Sequence, residues 1–356
     1  MWWVEPAVIA MVRLRGFGAK FFCSGFEFFI FSTGRNRVGQ DRASRRKMIW
    51  TIGGGKGGSG KSFITTNVGI CLSKLGIRVI LVDADLGGAN LHTFLGISPP
   101  ALSLSDFIKK RVSHLEEVLI PTAVPSLQLL TGAQDLLNAA DAKSVQKRKL
   151  IRSIQSLNSD TALVDLGAGN SLSVLDFFLI SDGGILVVTP EPTSIENTYR
   201  FLKSAFYRRL RHSVSSPSVK ALIDGAMDRK NEMGIQNPYD LIRVARGMDA
   251  GDGQRMAEEI ETFHPNLILN QVRSKKDIEI GFSIRSACQK YFGIHLHYLG
   301  YVVYDQDVSH SIRRRQPLVL ENPRSRASQC VMEIASKLAN SHKAATPFQE
   351  YEPQGH

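Results

Sequence analysis

Ten residues, Gly53-Gly-Gly-Lys56-Gly-Gly-Ser-Gly60-Lys61-Ser62, constrain this chain more than any other feature. Counted from Gly55 they fit GxxxxGK[ST], and they follow the apolar run Ile49–Ile52. Glycines let successive backbone N–H groups turn inward around phosphate oxygens. A helix starting at Lys61 would add the partial positive charge of its N-terminus. The segment therefore predicts a strand, a phosphate-cradling turn and a helix in direct succession. Gly55, Gly57, Gly58, Ser59, Gly60, Lys61, Ser62 and Phe63 then line the anion. Lys61 would reach the β- and γ-phosphates of a nucleoside triphosphate, and the Ser62 hydroxyl would ligate Mg²⁺.

The pattern after this point supports an α/β domain. Strands are expected at Arg78–Val82, Leu127–Leu130, Thr161–Val164, Gly184–Thr189, Leu267–Gln271 and Leu296–Tyr301. Helical stretches alternate with them near Lys61–Leu75, Leu104–Arg111, Ala142–Leu157, Leu172–Ile180, Ser194–Leu210, Asp277–Phe292 and Ser325–Ser341. Such alternation implies a mainly parallel sheet covered on both faces, the three-layer sandwich of a P-loop NTPase. One such unit is expected over residues 48–342. Residues 211–264 carry SVSSPS, several charges and a glycine-bearing run, and read as an insertion with one or two helices, Pro238–Arg246 and Gln254–Phe263. The polar stretch 343–356 reads as a mobile tail.

Two acidic segments end apolar strands. Val82-Asp83-Ala84-Asp85 runs on to Asn90, and Leu163-Val164-Asp165 runs on to Gly167 and Gly169. Carboxylates at the C-terminal ends of parallel strands lie where ligands bind in such sheets. Asn270 and the turn Thr189-Pro190-Glu191-Pro192-Thr193-Ser194 also end strands.

The second lysine inside the glycine-rich loop, Lys56, is not required by an ordinary phosphate loop. With it, GGGKGGSGKS resembles the deviant Walker A motif of the MinD/ParA family of dimerising ATPases. That resemblance runs from Met48 to about Asn340, the insertion excepted, and implies ATP and Mg²⁺ as ligands. It implies that Lys56 reaches the partner's phosphates across an ATP-dependent homodimer, and that Lys61 is the lysine of the motif proper. It further implies that Asp85 positions the attacking water, with Asp83 near the metal shell and Asn90 orienting the water or touching the partner. Asp165 would hold the metal, Asn270 the adenine, and Pro190 would face the nucleotide and the dimer seam. DLGAG and TPEPTSI are most similar to the branch that regulates flagellar number, FlhG/FleN, which implies a protein effector in the flagellar machinery. The departures are a poor match to that branch's N-terminal activating motif at Gln40–Arg45 and an insertion with no counterpart.

Charge divides the chain in two. Of the net +11, residues 1–47 hold +6, together with nine of the 29 aromatics, and +5 is left for the rest. This head is read as disordered or as an upstream start, with a membrane-surface anchor as the alternative. Four cysteines, Cys23, Cys71, Cys288 and Cys330, form no CxxC pair, which excludes iron–sulfur carriers and disulfide scaffolds. Two alternatives to flagellar regulation remain. One is a ParA-like DNA partitioner using Arg313-Arg314-Arg315 or Arg208-Arg209-Leu-Arg211; the other is a MinD-like membrane-cycling protein. The stripe Ala327, Val331, Ile334 and Leu338 in the last helix reads as a core face rather than a membrane anchor. A cytoplasmic location, peripheral to the inner membrane in the membrane-cycling case, is expected.

Overall fold

The computed structural model describes residues 47–85, 90–132, 144–227, 235 and 237–343. The expectations for the head up to residue 46 and for the tail from 344 lie outside them. The elements run β1 (Met48–Gly53), α1 (Lys61–Lys74), β2 (Val79–Ala84), α2 (Leu91–Phe94), α3 (Leu104–Ile108), β3 (Ile120–Pro121) and β4 (Leu127–Leu130). Next come α4 (Ser144–Ser156), β5 (Thr161–Leu166), α5 (Leu172–Leu179), β6 (Gly183–Val188), α6 (Pro192–Ser213), α7 (Pro217–Met227), α8 (Pro238–Met248) and α9 (Ala250–Thr262). The chain continues through β7 (Asn266–Val272), α10 (Lys275–Phe292), β8 (His297–Val303), α11 (Gln306–Arg314), α12 (Leu318–Glu321) and α13 (Arg326–Lys343).

The eight strands form one sheet in the order β3-β4-β2-β5-β1-β6-β7-β8. Every described pairing is parallel except that of β3 with β4. Both faces are covered, so β2, β5 and β6 are buried along their whole length. Alternate residues serve opposite faces. In β2, Ile80 and Val82 join a core with α5, α6 and α10, while Val79 and Leu81 join a second core with α1 and α13. The sandwich expected from the alternation is thus present. The short antiparallel β3, with Pro121 on the sheet edge, was not foreseen, because two residues carry no periodicity.

The inserted segment differs from its expected form. Helix α6 continues through Arg211 to Ser213, and three helices follow it rather than one or two. Asp252 is fully buried and accepts the Ser215 and Ser216 N–H groups at 2.9 and 2.8 Å, pinning the turn before α7 to the start of α9. Val219, Ile223, Leu241, Ala245 and Met256 all belong to the main core. The described helices of the segment therefore thicken one helical layer of the main core.

The stripe on α13 is core. Ala327, Val331, Ile334 and Leu338 are each at most 1% exposed and pack with α1 residues such as Ile64, Val68 and Leu72. Among the described residues no helix is long and apolar enough to cross a membrane.

Candidate functional site

The strand order sets the site. Strand β5 lies between β2 and β1, so Asp165 is the register partner of Asp83 on one side and of Ile52 on the other. Two carboxylates separated by 82 positions in sequence thereby stand side by side below the loop that leaves β1. Asp83 is fully buried; its carboxylate accepts the Leu91 N–H at 2.9 Å and the Asp85 N–H at 3.2 Å. Asp165 is 2% exposed and accepts the Thr65 hydroxyl at 3.2 Å and the Ser62 hydroxyl as well. Burial lifts the Asp83 pKa to about 6 and the Asp165 pKa to about 7, and Asp83 contributes to the rise at Asp165. Burial disfavours the charged form, and the accepted hydrogen bonds only partly restore it.

Lys61 completes this centre from the first turn of α1. It is 7% exposed, and its Nζ donates to the Lys56 carbonyl at 3.3 Å. Burial lowers its pKa, while Asp165 and Asp85 push it back up. Phe63, one residue beyond Ser62, turns its ring into the core, so only its backbone N–H can serve an anion. Ser59 is buried, and its Oγ has no protein partner.

The loop is held from both sides. A Cβ on Gly55 would stand 2.1 Å from the Asn197 carbonyl of α6, so only glycine fits there. Gly60 has φ +92°, and a Cβ on it would stand 2.2 Å from Asn270 Nδ2. That amide donates to the Ser59 carbonyl at 2.8 Å, and Asn270 is 5% exposed. Asn270, expected on the base of a nucleotide, thus braces the phosphate loop in this structure. Its neighbour Gln271 sits at a bulge with φ +61° and donates to the Gly58 carbonyl at 3.4 Å.

Lys56 projects from the exposed side. Its ammonium pairs with Glu191 and donates to Thr193 Oγ1 at 3.2 Å. Glu191 caps the start of α6 and Thr193 lies in its first turn, beside half-buried Pro190. Gly57 and Gly58 are exposed, Asp85 lies against Gly167, and Asn90 is exposed. The sequence segments thus converge on one edge. Thr65, Glu191, Asn197 and Gln271 were not singled out. Glu191 lies inside the TPEPTSI run, whereas Thr65 and Asn197 lie within helices, where no local signal marks them.

A centre of two adjacent buried carboxylates, a serine hydroxyl and a lysine suits a hard divalent cation with an anionic ligand. Among the described residues no three His, Cys, Asp or Glu side chains converge as a metal site. Asp83, Asp165 and Ser62 offer two carboxylates and a hydroxyl, which fits an ion that completes its shell with phosphate and water.

The model for the CobQ/CobB/MinD/ParA nucleotide-binding domain matches residues 50–318. The chain belongs to this family. The antiactivator FleN of Pseudomonas aeruginosa is 26% identical over 304 residues, 84% of this chain and 89% of FleN. The septum site-determining protein MinD of Helicobacter pylori is 30% identical over 156 residues, 43% of this chain and 57% of that protein. Among solved structures, MinD of Pyrococcus horikoshii complexed with Mg-ADP superposes with a TM-score of 0.54 at 23% identity, covering 83% of this chain and 98% of that one. A ParA family ATPase of Chlorobium tepidum gives a TM-score of 0.56 at 19% identity, covering 83% and 100%. This MinD/ParA family member shares its relatives' fold.

The two basic clusters differ in state. Arg208, Arg209 and Arg211 pair with Asp176, Glu259 and Asp224 respectively. They tie α6 to α5, α9 and α7. In the second cluster Arg314 pairs with Glu321.

Proposed function

We propose that this protein is a Mg²⁺-dependent ATPase that acts as a dimerisation switch, with regulation of flagellar placement or number as its process. The observation that carries the reading is the juxtaposition of Lys61, Ser62, Asp83 and Asp165 under a loop that also bears Lys56. Residues 48–342 act as one nucleotide-binding unit containing an insertion. Mg²⁺, held by Ser62 and Asp165 with Asp83 nearby, would neutralise charge on the phosphates when bound. Lys61 holds a phosphate oxygen from inside the loop, and its burial strengthens that contact. Asp85, at the end of β2, orients the attacking water. Backbone N–H groups from Gly57 to Phe63 fix the phosphates, while Gly167 and Gly169 allow the segment after β5 to move with nucleotide state.

In this reading Lys56 acts on the partner copy, so it must leave Glu191 when the dimer forms. The exposed ion pair is weak enough to permit that. Hydrolysis is then slow in the monomer, and the output is regulated binding of a partner protein. Similarity to FleN over most of both chains supports the flagellar process. The DNA-partitioning alternative is weakened by the carboxylate partners of Arg208, Arg209 and Arg211. The membrane-cycling alternative lacks an anchor in α13, whose apolar stripe is core. The site lies in the cytoplasm in all three readings.

The test is nucleotide binding and gel filtration of two variants. Lys61→Ala should lose ATP binding, whereas Asp85→Ala should bind ATP and persist as a dimer. An Asp85→Ala protein that stays monomeric with ATP overturns the switch.

A further inference from the structure

Three consecutive arginines close α11, and all three are exposed. Arg314 is held by Glu321, but Arg313 and Arg315 have no carboxylate partner among the described residues. The arginines of α6 contrast with them, since each is neutralised by an acid. Arg315 adds a second observation. It caps α11 in the left-handed region, at φ 54° and ψ 40°, where helices ordinarily place glycine. Helix α10 does place glycine there, Gly293 at φ 63°. A non-glycine residue here is strained, a conformation shared among the described residues with Lys110, Ser126 and Gln271.

The surroundings suit a protein segment. Ile312 and Leu320, 39% and 41% exposed, lie on the same short stretch of chain as the arginines. The adjoining recess is lined by Asp307, His310, Arg314, Leu318, Glu321 and Asn322. Its two carboxylates are already engaged, Glu321 by Arg314 and Asp307 by the Asn322 amide at 2.7 Å. Free positive charge beside exposed aliphatic side chains matches an acidic segment that also carries apolar residues. Duplex DNA is a poorer match, because it rewards a longer array of phosphate contacts and gains nothing from Ile312 or Leu320.

This surface also touches the segment that follows Asp83. The Arg315 carbonyl stands where a Cβ on Gly96 would approach to 2.7 Å. Gly96 ends the turn after α2, and α2 begins at Leu91, whose N–H is held by the Asp83 carboxylate. One short helix thus separates the end of α11 from the Asp83 carboxylate.

We propose that the end of α11, centred on Arg313 and Arg315 with Ile312 and Leu320, is a docking surface for an acidic, apolar-bearing segment of a partner protein, and that docking is transmitted to Asp83 through Gly96. The docking stands apart from the nucleotide reading, whereas the transmission rests on it. The full chain, without nucleotide, is titrated into a short fluorescein-labelled peptide of alternating Glu and Leu, with duplex DNA and phosphatidylglycerol vesicles as competing probes. The peptide should bind, and Arg313→Glu with Arg315→Glu should weaken it at least about tenfold. Arg211→Glu, whose parent residue is already paired, should leave peptide binding unchanged. Should the double reversal fail to fold by circular dichroism, Arg313→Gln with Arg315→Asn replaces it, since Asn tolerates the left-handed region. No peptide affinity, no dependence on the two arginines, or tighter arginine-dependent binding of the duplex or vesicles overturns the docking. Saturating peptide should then shift ATP affinity about threefold or more. Unchanged ATP affinity in a protein that still loses ATP on Lys61→Ala overturns the transmission alone. If Lys61→Ala still binds ATP, the nucleotide reading fails while the peptide data stand.

Discussion

Gly60→Ala probes how the phosphate loop is braced. Gly60 has φ +92° and ψ 23°, just ahead of α1. An L-residue forced into the left-handed region costs about 1–2 kcal/mol. The new Cβ would also fall 2.2 Å from Asn270 Nδ2, so the amide must move. Moving it breaks the 2.8 Å bond to the Ser59 carbonyl, which is buried beneath Asn270. Leaving that acceptor unpaired costs about 1–3 kcal/mol. The expected total is about 2–5 kcal/mol. Asn270→Ala removes both the bond and the obstacle, so in that background Gly60→Ala should cost only the strain, about 1–2 kcal/mol. The double-mutant cycle should show a coupling of about 1–3 kcal/mol. The measurement is urea unfolding followed by far-ultraviolet circular dichroism on the four proteins of the cycle. Equal costs of Gly60→Ala in the two backgrounds would refute the brace.

Three further outcomes are expected. Burial raises Asp165 from 3.8 to about 7, so the folded chain binds this proton more tightly than the unfolded one. Its contribution to stability is complete below about pH 4 and is lost as pH rises through about 7; Asp165→Asn should therefore gain in urea midpoint over wild type between those values, and a constant gap contradicts the assignment. Leu338→Ala should cost about 2–5 kcal/mol in urea unfolding, because its side chain fills core against α1; a variant of unchanged stability that instead loses liposome binding would restore the anchor reading. Lys56→Ala should bind ATP within about twofold of wild type, since its exposed pair with Glu191 is worth no more than about 1 kcal/mol, yet lose hydrolysis; turnover at the wild-type rate would remove Lys56 from the chemistry.

Much of the fold was legible because its signals are local. The runs Val79–Val82 and Gly183–Val188 are continuous and apolar, as strands buried on both faces must be. The glycine-rich loop declared itself through spacing, since only glycines allow backbone N–H groups to surround an anion so closely. Asp83 and Asp165 were found at strand ends by the same local logic. Helix α7 was missed, because a proline-led helix inside a polar insertion offers weak periodicity. The shape of the insertion depended on Asp252, whose buried carboxylate acts on residues 36 and 37 positions away.

The sequence by itself determined which residues can bind phosphate and metal, since that depends on side-chain type and short spacing. Tertiary structure decided which of them meet. Strand order alone sets Asp83 beside Asp165. Only the packed chain shows that Asn270 braces the loop at Ser59, that Lys56 rests on Glu191, and that the arginines of α6 are neutralised while Arg313 and Arg315 meet no carboxylate among the described residues. The physical reason is range. Backbone conformation and hydrophobic period act over a few residues, whereas ion pairs, buried hydrogen bonds and steric contacts join groups that only folding brings together.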